Sequence, residues 1–370
     1  MLNKAFFPGK YIQGVGALDE LPELIRLFGK RGLLLGSSTV LQKLLPESGL
    51  NIQDNWLSTE QFGGECCETE LTRLAGVIAE RQCDVLIGMG GGKTIDAAKI
   101  AADRAGLPVI IVPTIASTDA PCSGCAVIYS DEGIFESGCL QKSNPAAVLV
   151  DMNIISKAPA RFLVAGMGDA LATWFEARSC ITTKSPNSCG GLSTLTGLSI
   201  ARLCYDTLIK YGASARIAAE QQLITPALEH IVEANILLSG VGFESGGLAS
   251  AHSIHNGLTE LPETHRYYHG EKVAFGTLAG LHLTDAEPDE IDTVYGFCEQ
   301  VGLPTMLAEI GLENASTNKL MLAAEKACAP TQPIHNETGT ITPNIVFHAM
   351  LAADAYGQQR KQQGKALAKI

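Results

Sequence analysis

An aspartate inside an apolar stretch and three closely spaced histidines are the residues whose types and spacing best suit chemistry. Asp169 lies in Phe162–Phe175, a run otherwise patterned as a buried helix. A charge placed there is costly unless something pairs with it. Much later comes the glycine-opened run Gly246–Gly257, where His252 and His255 are three apart and share one helix face. His269 follows in Tyr267-Tyr268-His269-Gly270-Glu271. A lone histidine is usually a satisfied structural residue. Here three of the chain's eight histidines crowd into one short span. One Asp and two His make a primary shell for Zn²⁺, or for another divalent ion such as Fe²⁺, with a position left open. An open position suits Lewis-acid chemistry, in which an alcohol oxygen is polarised and its pKa lowered before hydride departs. Spacing alone leaves open which two of the three histidines ligate.

Two loops could hold the hydride acceptor. Gly88-Met89-Gly90-Gly91-Gly92-Lys93-Thr94-Ile95-Asp96 stands between a predicted strand and a predicted helix. Glycines there let the backbone approach a pyrophosphate, toward which the first free N–H groups of the helix point. Thr94 is the expected N-cap and Asp96 the expected acid of the first turn. The run is not a P-loop, which needs Gly where Ile87 stands. Nor is it a G-x-G-x-x-G fingerprint, whose third Gly falls at Lys93. A tight βα turn without a ligand is the competing reading. The second loop, Pro113–Ser123, follows the next strand. Ligands bind outside the carboxyl ends of strands in an open parallel sheet, so both loops face one crevice. Thr114, Ser117, Thr118 and Ser123 offer hydroxyls, and Asp119 offers a carboxylate that can accept hydrogen bonds from a polyol. The alternative is a plain polar turn punctuated by Asp and Pro.

The elements that must position these residues fall into two kinds. Up to about residue 150, aliphatic runs alternate with helical patterns, the mark of βαβ units and a parallel sheet. Strands are predicted at Gly32–Leu35, Val85–Ile87, Val109–Val112 and Ala147–Val150, and helices at Ala17–Phe28, Thr69–Glu80 and Thr94–Arg104. A hairpin is predicted from Ala126–Tyr129 to a return near Ile134, about the turn Asp131-Glu132-Gly133. From Ala158 onward strand-like runs vanish. Helices are predicted over Arg161–Cys180, Gly191–Lys210, Ala213–Asn235 and Thr342–Gln358, with Pro226 kinking or dividing the third. The reading is an α/β nucleotide-binding domain over 1–157 and an all-helical, metal-binding catalytic domain over 158–370, with the site in the cleft between them.

Composition limits the classes of partner. The 370 residues are 46% hydrophobic and 18% charged, which is ample for large buried cores. A net charge of −12 and the lack of any Lys/Arg run argue against nucleic acid. The start, MLNKAFFPGKYIQG, has no apolar secretory core, and runs such as Leu107–Pro113 are far too short to span a membrane. A cytoplasmic protein with no membrane partner is expected. Eleven cysteines, most of them scattered singly, read as buried free thiols in such a compartment; Cys122 and Cys125, spaced as the sequence's one C-x-x-C, stand beside the second loop.

Longer motifs carry a resemblance. PGKYIQG at Pro8–Gly14, FGGEC at Phe62–Cys66, GGGKTID at Gly90–Asp96 and PTIASTDAPCS at Pro113–Ser123 are four of them. AGMGDALATWFEAR at Ala165–Arg178, SGVGFESGGLASAHSIHNGLT at Ser239–Thr259 and YYHGEKVAFGTL at Tyr267–Leu278 are three more. With these the chain resembles, essentially end to end, the glycerol dehydrogenases within the group III (iron-containing type) metal-dependent alcohol dehydrogenases. The resemblance implies their dehydroquinate-synthase-like fold, a Rossmann-like domain followed by an all-α one. It implies NAD and one Zn²⁺ per subunit, glycerol and dihydroxyacetone as the polyol pair, and a homo-oligomer, octamers being common in the family.

By the same resemblance, Asp169, His252 and His269 are the zinc ligands and border the substrate. His255 is a catalytic residue near nicotinamide and substrate, and Asp119 contacts the polyol hydroxyls. Gly90, Gly91, Gly92, Lys93 and Thr94, with Thr114, Ile115, Ala116 and Ser117, form the pyrophosphate and ribose cradle. Ser123, Cys125 and Tyr129 lie on the nicotinamide side. Related enzymes often carry a fourth ligand, a His four residues after the Asp. Here that place is Thr173, which favours zinc over iron.

One departure bears on the cofactor. The family's usual Asp for the adenosine ribose is replaced here by Gly36-Ser37-Ser38. Ser37 does not repel a 2′-phosphate as an acid does, so relaxed discrimination between NAD and NADP is expected. Rival readings are a sister enzyme acting on a phosphorylated polyol, which needs cations such as Arg161, Arg178 or Arg266 at the cleft, and a lyase that uses NAD only transiently.

Overall fold

Gly32–Gly36, Val85–Gly90 and Val109–Pro113 are buried at every position, as strands covered on both faces must be. The computed structural model describes residues 1–50 and 56–367 and lays these runs side by side in a parallel sheet. The chain begins with β1 (Tyr11–Gly14), α1 (Leu21–Phe28) and β2 (Gly32–Gly36). A π-turn at Val40–Leu44 then leads into the short α2 (Leu45–Glu47). Next come β3 (Leu57–Gln61), α3 (Glu68–Arg81), β4 (Val85–Gly90), α4 (Gly92–Ala105) and β5 (Val109–Pro113). An antiparallel hairpin, β6 (Cys125–Tyr129) with β7 (Phe135–Leu140), stands apart from the sheet, and β8 (Ala147–Asp151) completes it.

The sheet order is β1-β8-β5-β4-β2-β3, all parallel. The chain steps outward from β2 to β3, then returns past β2 to β4 and continues the other way. The reversal falls between β2 and β4, and a ligand crevice opens where strand order reverses. Alternation along the strands divides the core. Leu34, Ile87, Ile110 and Leu149 face α1, while Leu33, Leu35, Leu86 and Ile111 join a core that runs on into the helical half.

That half contains α5 (Met152–Ile155), α6 (Ala160–Thr183), α7 (Leu195–Glu220), α8 (Pro226–Glu233), α9 (Ser239–Gly246) and α10 (Ser250–Leu258). α11 (His269–Leu283), α12 (Pro288–Val301), α13 (Thr317–Ala327) and α14 (Pro343–Leu367) complete it. The expected division at 157/158 falls in the turn between α5 and α6. No described helix is long and apolar enough to cross a membrane.

Several expectations need correction. β1 and β3 were not foreseen, because YIQG and LSTEQ mix polar residues into short edge strands. Two helices expected over Gly191–Lys210 and Ala213–Asn235 are instead one long α7 followed by α8. Pro226 does divide the second: it sits at the first position of α8, where its missing N–H costs nothing.

Candidate active site

α6 and α11 cross almost backbone to backbone. A Cβ on Gly270 would lie 1.8 Å from the Ala165 carbonyl oxygen, and one on Gly168 would lie 2.3 Å from that of Gly270. This closeness sets Asp169, on α6, against His269, the first residue of α11. Asp169 Oδ1 stands 3.1 Å from His269 Nε2 and 3.4 Å from His252 Nε2, and the three donor atoms lie within 4.8 Å of one another. A tetrahedral ion with bonds of about 2.0–2.1 Å sets its ligands roughly 3.3 Å apart, so the spacing suits one. The donor chemistry agrees: Asp169 is fully buried, yet its Oδ1 has no hydrogen-bond partner. Its Oδ2 accepts from the Asp119 N–H at 3.2 Å. Burial by itself would push the Asp169 carboxyl up, but His269 and His252 together hold it well below the ordinary carboxylate range. Of the two histidine side chains, His252 is 13% exposed and His269 38%, so His269 is the one open to solvent.

Each ligand-type histidine has a partner on its other ring nitrogen. His252 Nδ1 lies 2.6 Å from Glu176 Oε2, and His269 Nδ1 lies 3.1 Å from His255 Nε2. His255 Nδ1 in turn faces Asn256 Oδ1 at 3.0 Å, and the Asn256 amide donates to Gln332. Burial, then the charges of His269, Lys272 and His252, push the His255 pKa well down. Asp119 is buried beside the cluster. Its Oδ2 accepts from Ser239 Oγ at 3.0 Å, and Ser239 meets Thr173 Oγ1 at 2.9 Å. Burial, and next the Asp169 charge, raise the Asp119 carboxyl well above its usual range.

The two glycine- and hydroxyl-bearing loops leave neighbouring strands, β4 and β5. Ser37 follows β2, half-buried, and its Oγ accepts from the Val40 N–H at 3.4 Å. Gly90 ends β4 beside Pro113 of β5, and Thr114 donates its N–H to the Gly90 carbonyl at 3.0 Å. Thr94 is not the N-cap. α4 starts at Gly92 on a Gly91 cap, and Thr94 is buried in the first turn, packed beneath Gly90. Asp96 falls in the second turn, where its Oδ2 accepts from the Val127 N–H of β6 at 3.2 Å. The space over Gly92 is open, with nothing within 4 Å of a Cβ placed there.

Lys93 leans away from the loop, onto Glu65 at 2.5 Å and over the Tyr129 ring. Ile115 covers Gly91, and Ala116 gives its carbonyl to Asn235 of the helical half at 3.0 Å. Ser117 is half-buried on the same loop. Ser123 is buried, and its Oγ accepts from the Cys125 N–H at 3.4 Å. All eleven cysteines are free thiols.

Residues 8–152 match the family model for iron-containing alcohol dehydrogenases. The glycerol dehydrogenase of Thermotoga maritima is 53% identical over 98% of this chain and 99% of its own length. That of Escherichia coli O6:H1 is 49% identical over 96% of this chain and 98% of its own. A crystal structure of a probable glycerol dehydrogenase from Sinorhizobium meliloti 1021 superposes with a TM-score of 0.91. It is 46% identical and covers 97% of this chain and 99% of that one. The chain belongs to the glycerol dehydrogenase group of the iron-containing alcohol dehydrogenases. It is an oxidoreductase.

The three arginines that a phosphorylated substrate was expected to need are each engaged by a neighbour. Arg161 is held at both ends of Glu271, at 2.7 and 2.9 Å, and Arg178 likewise by Glu290. Arg266 stacks on its neighbour Tyr267. Glu176, Ser239 and Asn235 escaped the sequence reading. Glu176 had a signal, since it stands three residues after Thr173 and seven after Asp169, on one α6 face. Ser239 and Asn235 had none, because the loop partners that tie them to the site, Asp119 and Ala116, come from the other half of the molecule.

Proposed function

We propose that the enzyme oxidises glycerol to dihydroxyacetone, and related vicinal diols, with NAD, and runs the reduction in reverse. The Asp169–His252–His269 cluster, set beside Asp119 at the mouth of the β4 and β5 loops, is the observation that carries this reading. A zinc ion bound by Asp169, His252 and His269 would supply Lewis acidity, lowering the pKa of a secondary hydroxyl. NAD bound over Gly90–Thr94 and Thr114–Ser117 would accept the hydride. Everything else is the work of the chain itself. Asp119, pinned by Ser239, orients the remaining hydroxyls of the polyol, and such positioning lowers the entropic part of the barrier. His255 is neutral and accepts the His269 N–H at Nε2. It therefore serves to keep His269 Nε2 free to ligate, and the hydroxyl proton leaves to solvent on the open His269 side.

Ser37 stands where an acid would exclude a 2′-phosphate, so NAD is the main cofactor with NADP also accepted. A homo-oligomer is part of the proposal, since Leu2 and Leu195 are 75% and 84% exposed and would be covered by association.

The test is NADH formation from glycerol at alkaline pH, before and after chelation and zinc re-addition. Turnover that the chelator removes and zinc restores is the expected result. No NADH from glycerol or any small diol with the zinc-loaded enzyme overturns the reading. NADP used at below about a thousandth of the NAD efficiency removes the relaxed part alone, as an acid-like exclusion of the 2′-phosphate would then be at work.

A further inference from the structure

Glu176 takes no part in the reaction proposed above, yet it is one of the most deeply buried charges in the chain, at 1% exposure. It lies on α6 seven residues after Asp169, two turns along the same face. Its Oε1 accepts from the N–H groups of Ala249 at 2.9 Å and His252 at 3.0 Å, and its Oε2 sits 2.6 Å from His252 Nδ1. Two explanations fit a carboxylate so placed. It could simply cap α10, whose N-cap residue is Ala249, a residue with no side chain able to accept a hydrogen bond. Or it could act on His252. A second buried carboxylate separates the two. Glu337 also caps α10, accepting from the Ser250 N–H at 3.1 Å, and makes no hydrogen bond to His252. Glu176 alone reaches the ring, and it grips the same residue at both backbone N and Nδ1.

We propose that Glu176 is a positioning residue for the metal, holding His252 as the tautomer that carries its proton on Nδ1. With an ion on Nε2, the ring's one N–H is the one on Nδ1, and a Glu176 oxygen lies 2.6 Å from that nitrogen to accept it. Nε2, 3.4 Å from Asp169 Oδ1, is thereby left with a free lone pair facing the site. The partners of the two histidines differ in kind. His269 leans on the neutral ring of His255, whereas His252 has a charge-assisted hydrogen bond, the stronger type, which also makes the ring a better donor to a cation. His252 is the less exposed of the two and the more firmly held. Glu176 therefore sets how tightly the site retains its ion.

The inference rests on the metal reading of Asp169, His252 and His269. Its test is the zinc affinity of metal-stripped protein, read by competition with a chromogenic chelator. Glu176→Gln keeps the volume and keeps an oxygen for both backbone N–H groups. Its amide, however, donates to Nδ1 and so drives the ring proton onto Nε2. Zinc binding is expected to weaken about 10–100-fold. Glu337→Gln, which perturbs the same cap without touching His252, is expected to stay within about twofold of the parent, having no bond to a ligand. Glu176→Asp keeps an acceptor, so it is expected to retain more affinity than Glu176→Gln, and it serves if the latter does not fold.

Parent-like affinity in Glu176→Gln overturns the inference. So does equal loss in Glu176→Gln and Glu337→Gln, which would make Glu176 a cap and nothing more, and so does Glu176→Asp binding more weakly than Glu176→Gln. A parent chain that takes up no zinc sinks the metal reading itself, and this inference with it.

Discussion

At the scale of single residues, the site is built by burying charge and then answering it. Asp169 is answered by two histidines, and Asp119 by Ser239. Asp96, beneath the glycine loop, is answered less completely. Its Oδ2 accepts from Val127, its Oδ1 has no hydrogen-bond partner, and Lys99 is 4.0 Å away. Lys99 is itself committed to the Ala120 and Cys125 carbonyls, so it fastens the second loop and the hairpin to α4. Burial pushes the Asp96 carboxyl up to about 6, with Lys99 and the Val127 N–H pulling the other way. The folded pKa thus lies above the unfolded value of about 3.9, so the native state holds a proton the unfolded chain has lost. Stability should therefore fall as pH rises from about 4 to about 6, and the penalty persists above that window. Two pKa units correspond to about 3 kcal/mol. Asp96→Asn removes the titration and keeps an acceptor for Val127. Its stability is expected to decline less than the parent's between pH 4.5 and 7.5, in thermal melts of the metal-free protein. Parallel pH profiles for the two proteins would remove Asp96 from the account.

At the scale of elements, contact distance between helices matters more than any single bond. His269 begins α11, and Gly270 lets that end of the helix rest on the Ala165 carbonyl of α6. Gly270→Ala would put a methyl 1.8 Å from that backbone oxygen, so the helices must part. The cost is of the overpacking kind, about 1–3 kcal/mol or more. Because Asp169 and His269 ride on the two helices, zinc affinity should fall as well. Gly76→Ala on α3 is the contrast: nothing lies within 4 Å of its Cβ, and a gain of up to about 1 kcal/mol is expected from helix propensity. Chelator competition and melting curves on both variants check this, and zinc affinity untouched in Gly270→Ala would refute the helix-contact argument. The same glycines show what the sequence could and could not disclose. Regular periodicity made α6, β4 and β5 legible, and with them Asp169 and the two loops, whereas His252 stood out by the crowding of three histidines rather than by a predicted helix. Tyr211-Gly212 looked like a break between helices, yet Gly212 lies inside α7, where a Cβ would meet the Phe297 ring at 2.6 Å. A glycine that serves packing and one that ends a helix read alike until the neighbouring helix is in place. Thr94 misled for a related reason, since the Gly91 backbone begins α4 and leaves the threonine to pack beneath Gly90.

At the scale of the whole molecule, we read 1–157 and 158–370 as two domains that share a core rather than two that merely touch. Leu33, Leu86 and Ile111 of the sheet belong to one continuous buried cluster with Leu208, Phe275 and Tyr295 of the helices. Hydrogen bonds stitch the same boundary. Asn235 donates to the Ala116 carbonyl, and buried Glu244 accepts from the Gly124 N–H at 2.8 Å and from the Asn144 amide at 2.5 Å. The N-terminal segment crosses over too, with the Phe6 N–H donating to Ser245 Oγ at 3.1 Å. A ligand that binds only the folded state adds about 2.7 kcal/mol at one hundred times its Kd. If the shared core makes the chain one cooperative unit, that energy is spread over all 370 residues. At about 2.1 cal/mol/K per residue, the melting midpoint then moves by only about 3–4 °C. The expectation is therefore a single calorimetric transition in the metal-free protein, shifted whole and by a few degrees when zinc is added. Asp169, His252 and His269 all lie beyond residue 157, so separable domains would behave differently. Zinc would then move one transition and leave the nucleotide-binding half to melt where it did before. Two transitions, of which only one responds to zinc, would show that the stitching at Asn235 and Glu244 is weaker than the continuity of the core implies.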